Sequence, residues 1–166
     1  MTFEPLIRQF YFDCFKIEPE KNRIIYEYST DAGHSFTHEL TIEFPENIDS
    51  SALNSAVFAL GMAEIPSYWK STLAPEIVIK AGKLSAAQIL FWENLFTKGL
   101  GEFFYANKID FRGLIHIISD AHAPEITPIT SAKPSAYRVL VPFGGGKDSL
   151  VTGEILKQQK NLAWHR

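Results

Sequence analysis

A chain of 166 residues with a single cysteine, Cys14, cannot close an internal disulfide or build a cysteine-based zinc site. Nothing therefore points to secretion into an oxidising compartment. Cys14 lies in an apolar run with Phe12 and Phe15 and reads as a small buried hydrophobe. No apolar run approaches the ~20 residues that span a bilayer. The opening Met-Thr-Phe-Glu-Pro lacks the basic and apolar regions of a signal peptide. Lys and Arg are scattered, and the formal net charge is -3. A nucleic-acid partner, which would want a basic face or stripe, is not expected. A membrane partner is not expected either, and the expected location is the cytoplasm. Hydrophobic residues at 46% and charged residues at 21% exclude disorder as the default and allow one domain with a real core.

The first part of the chain reads as strands. Residues 7–17 alternate, with Phe10, Phe12 and Cys14 on one face and Tyr11, Asp13 and Phe15 on the other. Residues 23–29 place Ile24, Tyr26 and Tyr28 on one face, and residues 36–44 do the same with Phe36, His38, Leu40, Ile42 and Phe44. Short turns between them predict an antiparallel meander. Helices follow. Asp49-Ser50-Ser51 caps one that runs to about Met62 and is ended by Ile65-Pro66. A strand is expected at 76–80. Ser85 caps a second helix, which Gly99 and Gly101 interrupt before 102–107 resumes it. Residues 114–118 read as a further strand. The expected organisation is an α+β domain over 1–119, a Pro-rich linker over 120–136 with Pro124, Pro128 and Pro134, and a third segment over 137–166.

That third segment carries the chemistry. An apolar strand, 137–141, feeds Pro142-Phe143-Gly144-Gly145-Gly146-Lys147-Asp148-Ser149, and Leu150 to Gln159 has helical spacing. Glycines let a backbone approach a phosphate closely, and the amides and dipole of a helix start bind the anion. Lys147 adds a charge and Ser149 a hydroxyl. Asp148 beside a phosphate suits a bound cation, which points to Mg²⁺. The Walker motif fails here, because Val141 stands five residues before Gly146 and Asp148 follows Lys147 directly. The dinucleotide fingerprint fails because Ser149 stands where its last glycine belongs. The loop resembles that of the ATP pyrophosphatases, Ser-Gly-Gly-x-Asp-Ser, with Gly144 in place of the leading Ser.

The resemblance narrows when two more segments are added, Ile65-Pro66-Ser67-Tyr68-Trp69-Lys70 and Lys98-Gly99-Leu100-Gly101-Glu102-Phe103-Phe104-Tyr105-Ala106-Asn107. With Gly144-Gly145-Gly146-Lys147-Asp148-Ser149-Leu150-Val151 they are similar to the bacterial UDP-N-acetylmuramoyl-L-alanyl-L-glutamate epimerases, in which the triple-glycine loop is the expected form. That resemblance implies an ATP- and Mg²⁺-dependent isomerase of peptidoglycan synthesis. Its small-molecule substrate is UDP-MurNAc-L-Ala-L-Glu, whose terminal L-Glu becomes D-Glu through an acyl-adenylate, with AMP and pyrophosphate released. It implies that Gly144, Gly145, Gly146, Lys147, Asp148 and Ser149 bind the ATP phosphates and that Asp148 meets the metal. Tyr68, Lys70 and Glu102 are candidate substrate contacts.

No catalytic base is assigned. His34, His38, His116 and His122 qualify by residue type, although His38 and His116 sit in apolar strands. One strand and one helix of a doubly wound nucleotide-binding domain do not enclose ATP. The chain is accordingly expected to be the front part of a longer enzyme, inactive by itself. Two rival readings stand beside this one. The first is another ATP pyrophosphatase, amidating or thiolating; the second is a non-catalytic nucleotide- or partner-binding remnant.

Overall fold

A computed structural model describes residues 7–44, 49–127 and 141–158. The chain divides into two compact units, Met1–Ile129 and Thr130–Arg166.

The first unit is α+β, with one mixed five-stranded sheet in the order β3-β2-β1-β4-β5. The strands are β1 (Gln9–Glu18), β2 (Arg23–Thr30), β3 (Ser35–Thr41), β4 (Glu76–Ile79) and β5 (His116–Ser119). β1 pairs antiparallel with β2, and β2 with β3. On its other side β1 pairs parallel with β4, and β4 with β5. The sheet thus extends beyond the strands expected at the N-terminus. The two parallel strands arrive by helical crossovers, which a parallel neighbour requires. The helices are α1 (Ser50–Trp69), α2 (Ala86–Gly99) and α3 (Gly101–Ala106).

β2 alternates without a break, and Ile24, Tyr26, Tyr28 and Thr30 are buried. β1 does not. Phe12 pairs with Tyr28 but Cys14 with Glu27, so Asp13 is the extra residue of a β-bulge. The bulge inverts the phase of the strand. Phe10 and Phe12 are fully buried before it, and Phe15 and Ile17 pack on the core after it. Cys14 is thereby turned away from the core, and its Sγ lies 3.4 Å from Glu27 Oε2. The buried-hydrophobe reading of Cys14 and the facing assigned to Phe15 are both corrected: strict alternation holds only where pairing is regular.

α1 also departs from expectation, because it continues through Pro66 to Trp69. An interior proline removes one helical hydrogen bond and crowds the preceding turn. Here the last turn is held from outside. Trp69 is buried and its indole N–H donates to Ala74 O at 2.7 Å, while Tyr68 bonds His38 at 2.8 Å. At the other end Asp49 accepts from the amides of Ser51 and Ala52. α2 starts with a capping box in which Ser85 accepts from the Gln88 amide and Gln88 returns a bond to the Ser85 amide.

The core lies between the sheet and the helices. It contains Phe10, Phe12, Tyr26, Tyr28, Phe58, Met62, Ile65, Trp69, Ile77, Ile79, Phe96 and Phe104. α1 sits close to the strands. A Cβ on Gly61 would stand 2.5 Å from the Phe12 ring and 2.8 Å from the Tyr26 ring. The buried hydroxyls of Tyr26 and Tyr28 donate to Val57 O and Gly61 O, which ties β2 to α1 through otherwise apolar contacts. Residues 120–127 run back over this unit. Lys83 N donates to Pro124 O, and Ser55 Oγ donates to Thr127 O.

In the second unit the described segment is an extended loop followed by α4 (Lys147–Lys157). The helix begins three residues earlier than the spacing of its apolar side chains suggested. The strand expected at 137–141 lies outside the described residues except for Val141, which is not in a strand. Among the described residues no helix is long and apolar enough to cross a membrane.

Candidate functional site

The glycine loop ends as the N-terminus of α4. Gly146 is the N-cap, at φ -79° and ψ 164°. Gly145 has φ +77°, in the left-handed region where an L side chain is strained. Glycine at 145 is therefore required by the backbone itself. Gly144 and Gly146 have no such reason: neither has a positive φ, and an added Cβ at either would meet nothing within 4 Å. What their missing side chains leave is open space beside the first turn of α4.

The helix start is also left open in a second sense. α1 and α2 fill theirs with Asp49 and Ser85, whereas α4 has no side-chain cap. Its first-turn amides, on Lys147, Asp148 and Ser149, are orphan donors at the positive end of the helix dipole. Ser149 Oγ turns inward and donates to Gly146 O at 2.8 Å. Lys147 Nζ lies 2.8 Å from Asp148 Oδ1, and both side chains are 88% exposed. An exposed pair of this kind contributes little to stability, so both groups stay free to reorient onto a ligand. This constellation fits a phosphate chain and a hard cation: open amides, a mobile ammonium, one carboxylate and space where side chains are absent. Among the described residues there is no cluster of three or more metal-ligating side chains, so Asp148 would be one ligand among others.

The remaining candidates belong to the first unit. Tyr68 lies in the last turn of α1, with its ring 5.3 Å from Tyr28 and 5.4 Å from Phe36. Its hydroxyl shares a 2.8 Å hydrogen bond with His38 Nδ1. Burial, with Glu64 nearby, raises its pKa. These contacts brace α1 against β3. Lys70, at the C-cap of α1, is exposed, with Nζ 5.9 Å from the Phe103 ring centroid. Glu102 is exposed in the first turn of α3. Lys70 therefore shares a corner with α3, and Tyr68 does not join it there. Of the histidines, His34 bonds Thr30 across the β2–β3 turn and His38 keeps a buried Nε2 without a partner among the described residues. His116 and His122 are exposed, and no described carboxylate pairs with either ring.

The fold also assembles a polar group that sequence reading missed. The bulge carries Asp13 to Lys80, just past the end of β4, at 2.8 Å, and Ser29 bonds the same carboxylate. Lys80 Nζ stands 3.6 Å from the centroid of Tyr11. Tyr11 bonds Gln9, and Gln9 donates to Glu76 Oε2 at 2.7 Å. Residues 67 apart meet here only through strand register, and no local pattern announces that.

An α+β unit followed by a glycine loop that opens a helix defines the class: an α+β domain that leads into an uncapped, glycine-walled helix start. The chain belongs to the family described as the MurL N-terminal domain, whose model matches residues 1–164. It is 32% identical over 138 residues to the UDP-N-acetyl-alpha-D-muramoyl-L-alanyl-L-glutamate epimerase of Xanthomonas oryzae pv. oryzae (strain MAFF 311018), covering 72% of this chain and 30% of that protein. Proteins of the same name from Micromonospora sp. and Salinispora tropica are 26% and 25% identical over 156 residues, or 90% of this chain and 34% of each relative. The chain thus spans about a third of the length of the curated relatives it matches.

Proposed function

We propose that this chain forms the N-terminal part of an epimerase that inverts the terminal L-glutamate of UDP-MurNAc-L-Ala-L-Glu to D-glutamate, using ATP and Mg²⁺. Membership of the family and the names of the relatives support the reaction. The uncapped, glycine-walled start of α4 supports the ATP requirement.

The chemistry explains why a nucleotide is needed. The α-proton beside a carboxylate is very weakly acidic, because the carbanion would form next to a full negative charge. Adenylation of the carboxylate removes that charge, so that deprotonation and reprotonation on the other face become accessible before hydrolysis returns the acid. ATP supplies the adenylyl group and leaves as AMP and pyrophosphate. In this reading the first-turn amides of α4 and Lys147 hold the phosphates as negative charge shifts onto the leaving pyrophosphate. Asp148, freed from Lys147, would be a ligand for Mg²⁺, which would offset the negative charge on the phosphates. Gly144 and Gly146 keep the approach clear. Tyr68 positions α1 through its bond to His38, and Lys70 and Glu102 stand where exposed charges can meet the substrate.

The test supplies the protein translated from the complete reading frame with ATP, Mg²⁺ and UDP-MurNAc-L-Ala-L-Glu. D-glutamate and pyrophosphate should form together, and Asp148→Asn should abolish both. Epimerisation without pyrophosphate release would reject the ATP mechanism. Pyrophosphate release driven by another acceptor would favour an amidating or thiolating enzyme, and nucleotide binding with no AMP formed would favour a non-catalytic module.

A further inference from the structure

α1 has no charged side chain from Ser50 to Ala63, and its outward residues Ala56, Ala59, Leu60 and Ala63 are all exposed. α2 repeats the pattern in part, its exposed side also carrying Gln88, Asn94 and Lys98. Its acidic residue, Glu93, turns inward and accepts from Ile117 N at 2.9 Å, while Ala87, Leu90, Phe91 and Leu95 face outward. Leu90, Phe91 and Leu95 are 61, 57 and 46% exposed. A helix at a water-facing surface ordinarily carries its charges on the outer side; one that is apolar on both sides is covered on both. Each outward set recurs at three- and four-residue intervals and so forms one continuous stripe along its helix. Between the two helices lies a groove of about 780 Å³, walled by Phe58, Ala59, Leu84, Phe91, Trp92 and Ile126.

The polar groups of the groove are already engaged. Ser55 Oγ donates to Ser51 O, Ser85 and Gln88 bond each other, and Lys83 Nζ is 2.7 Å from Glu125 at the rim. Lys83 and Glu125, 49 and 78% exposed, keep the rim polar, while the wall itself is apolar and suits an apolar ridge. Alanines on the α1 side permit close approach, and large side chains on the α2 side provide the area to bury.

We infer that this groove seats an amphipathic helix contributed by the polypeptide that the family's longer members carry outside the matched region. The matched third accounts for 30–34% of each relative, so those proteins hold ample further chain to supply it. The occupant presents an uncharged apolar stripe about three turns long, because the seam runs that far before Lys98 ends it.

The experiment compares amide hydrogen exchange along α1 and α2 in the 166-residue chain and in the protein from the complete reading frame, with Phe91→Glu and Leu95→Glu made in both. Both side chains are about half exposed, so the variants should melt within about 2 °C of the parent in the 166-residue chain. In the longer protein α2 should exchange at least tenfold more slowly than in the short chain, and either variant should abolish that protection. Leu90→Gln, a milder change, should act the same way if a charged variant fails to fold. Equal exchange in the two proteins would overturn the proposal, as would a reading frame that closes at Arg166. A 166-residue chain that sediments as a dimer separated by Leu95→Glu would assign the face to a second copy. Protection of α2 by UDP in the short chain, lost in Phe91→Glu, would assign it to a small molecule. Either result overturns the helix.

Discussion

Replacing Gly61 by alanine sets two well-characterised effects against each other at one atom. In an exposed helix interior the change stabilises by about 1 kcal/mol, because alanine has the higher helix propensity. At Gly61 the new Cβ would stand 2.5 Å from Phe12 Cζ and 2.8 Å from two ring atoms of Tyr26. Ordinary carbon contacts lie near 3.5–4.0 Å. Phe12 and Tyr26 are fully buried, so neither ring can swing into solvent. The helix cannot simply back away either, since Tyr26 and Tyr28 hold Val57 O at 3.1 Å and Gly61 O at 2.9 Å, and a shift of about 1 Å would break both bonds. Overpacking of this kind costs about 1–3 kcal/mol, and the rigidity of the surroundings puts this site at the upper end. The net expectation is a loss of about 2 kcal/mol, equivalent to a fall in Tm of about 4–8 °C for a chain of this size. Urea and thermal unfolding followed by circular dichroism would measure it. A Gly61→Ala protein as stable as the parent, or more so, would mean that α1 and the sheet have slack between them and would refute the close approach on which the core reading rests.

Ser85→Ala removes the capping box of α2 and should cost about 1 kcal/mol, read as a lower urea midpoint with an unchanged m-value. Burial raises the pKa of Tyr26 to about 12, above the value near 10 of an unfolded tyrosine, so the unfolded chain loses this proton first as pH rises. The resulting stabilisation is complete below pH 10 and should be lost between pH 10 and 12; Tyr26→Phe should flatten that limb of the stability–pH curve relative to the parent, and an unaltered limb would contradict the assignment. Gly146→Ser should cap α4, slow its amide exchange slightly and weaken pyrophosphate binding, whereas a serine that leaves pyrophosphate affinity untouched would argue that the open helix start is not where the anion sits.

The elements whose signals are local were legible in the sequence. β2 shows its alternation directly in Ile24, Tyr26 and Tyr28, and the capped start of α2 follows from Ser85 with Gln88 three residues on. The break near Gly99 and Gly101 appears as the boundary between α2 and α3. Misreadings arose where a tertiary contact overrode a local rule. Pro66 should stop a helix, yet Trp69, Tyr68 and Ile65 anchor the turn around it more strongly than the missing bond weakens it. Cys14 follows the alternation of β1 on paper, but the bulge at Asp13 inserts a residue that no periodicity reveals. The parallel addition of β4 and β5 beside β1 was equally hidden, because a crossover is written in which faces are apolar, not in any turn motif.

The candidate site divides along the same line. The loop 144–149 was readable as a candidate because its glycines, cation and carboxylate are contiguous in the sequence and run into the start of α4. Tyr68 and His38 are 30 residues apart and come together through the packing of α1 on β3, so residue type alone could nominate both yet not show that they engage each other. Once engaged, the tyrosine hydroxyl is no longer free to meet a ligand without surrendering the bond that steadies His38, whose Nε2 already lacks a described partner. Tyr68 can therefore meet a ligand only by giving up that bond, whereas Lys70 and Glu102 are exposed. Lys147 and Asp148 at the helix start form only an exposed pair, whereas Tyr68 and His38 are already bonded to each other inside the first unit.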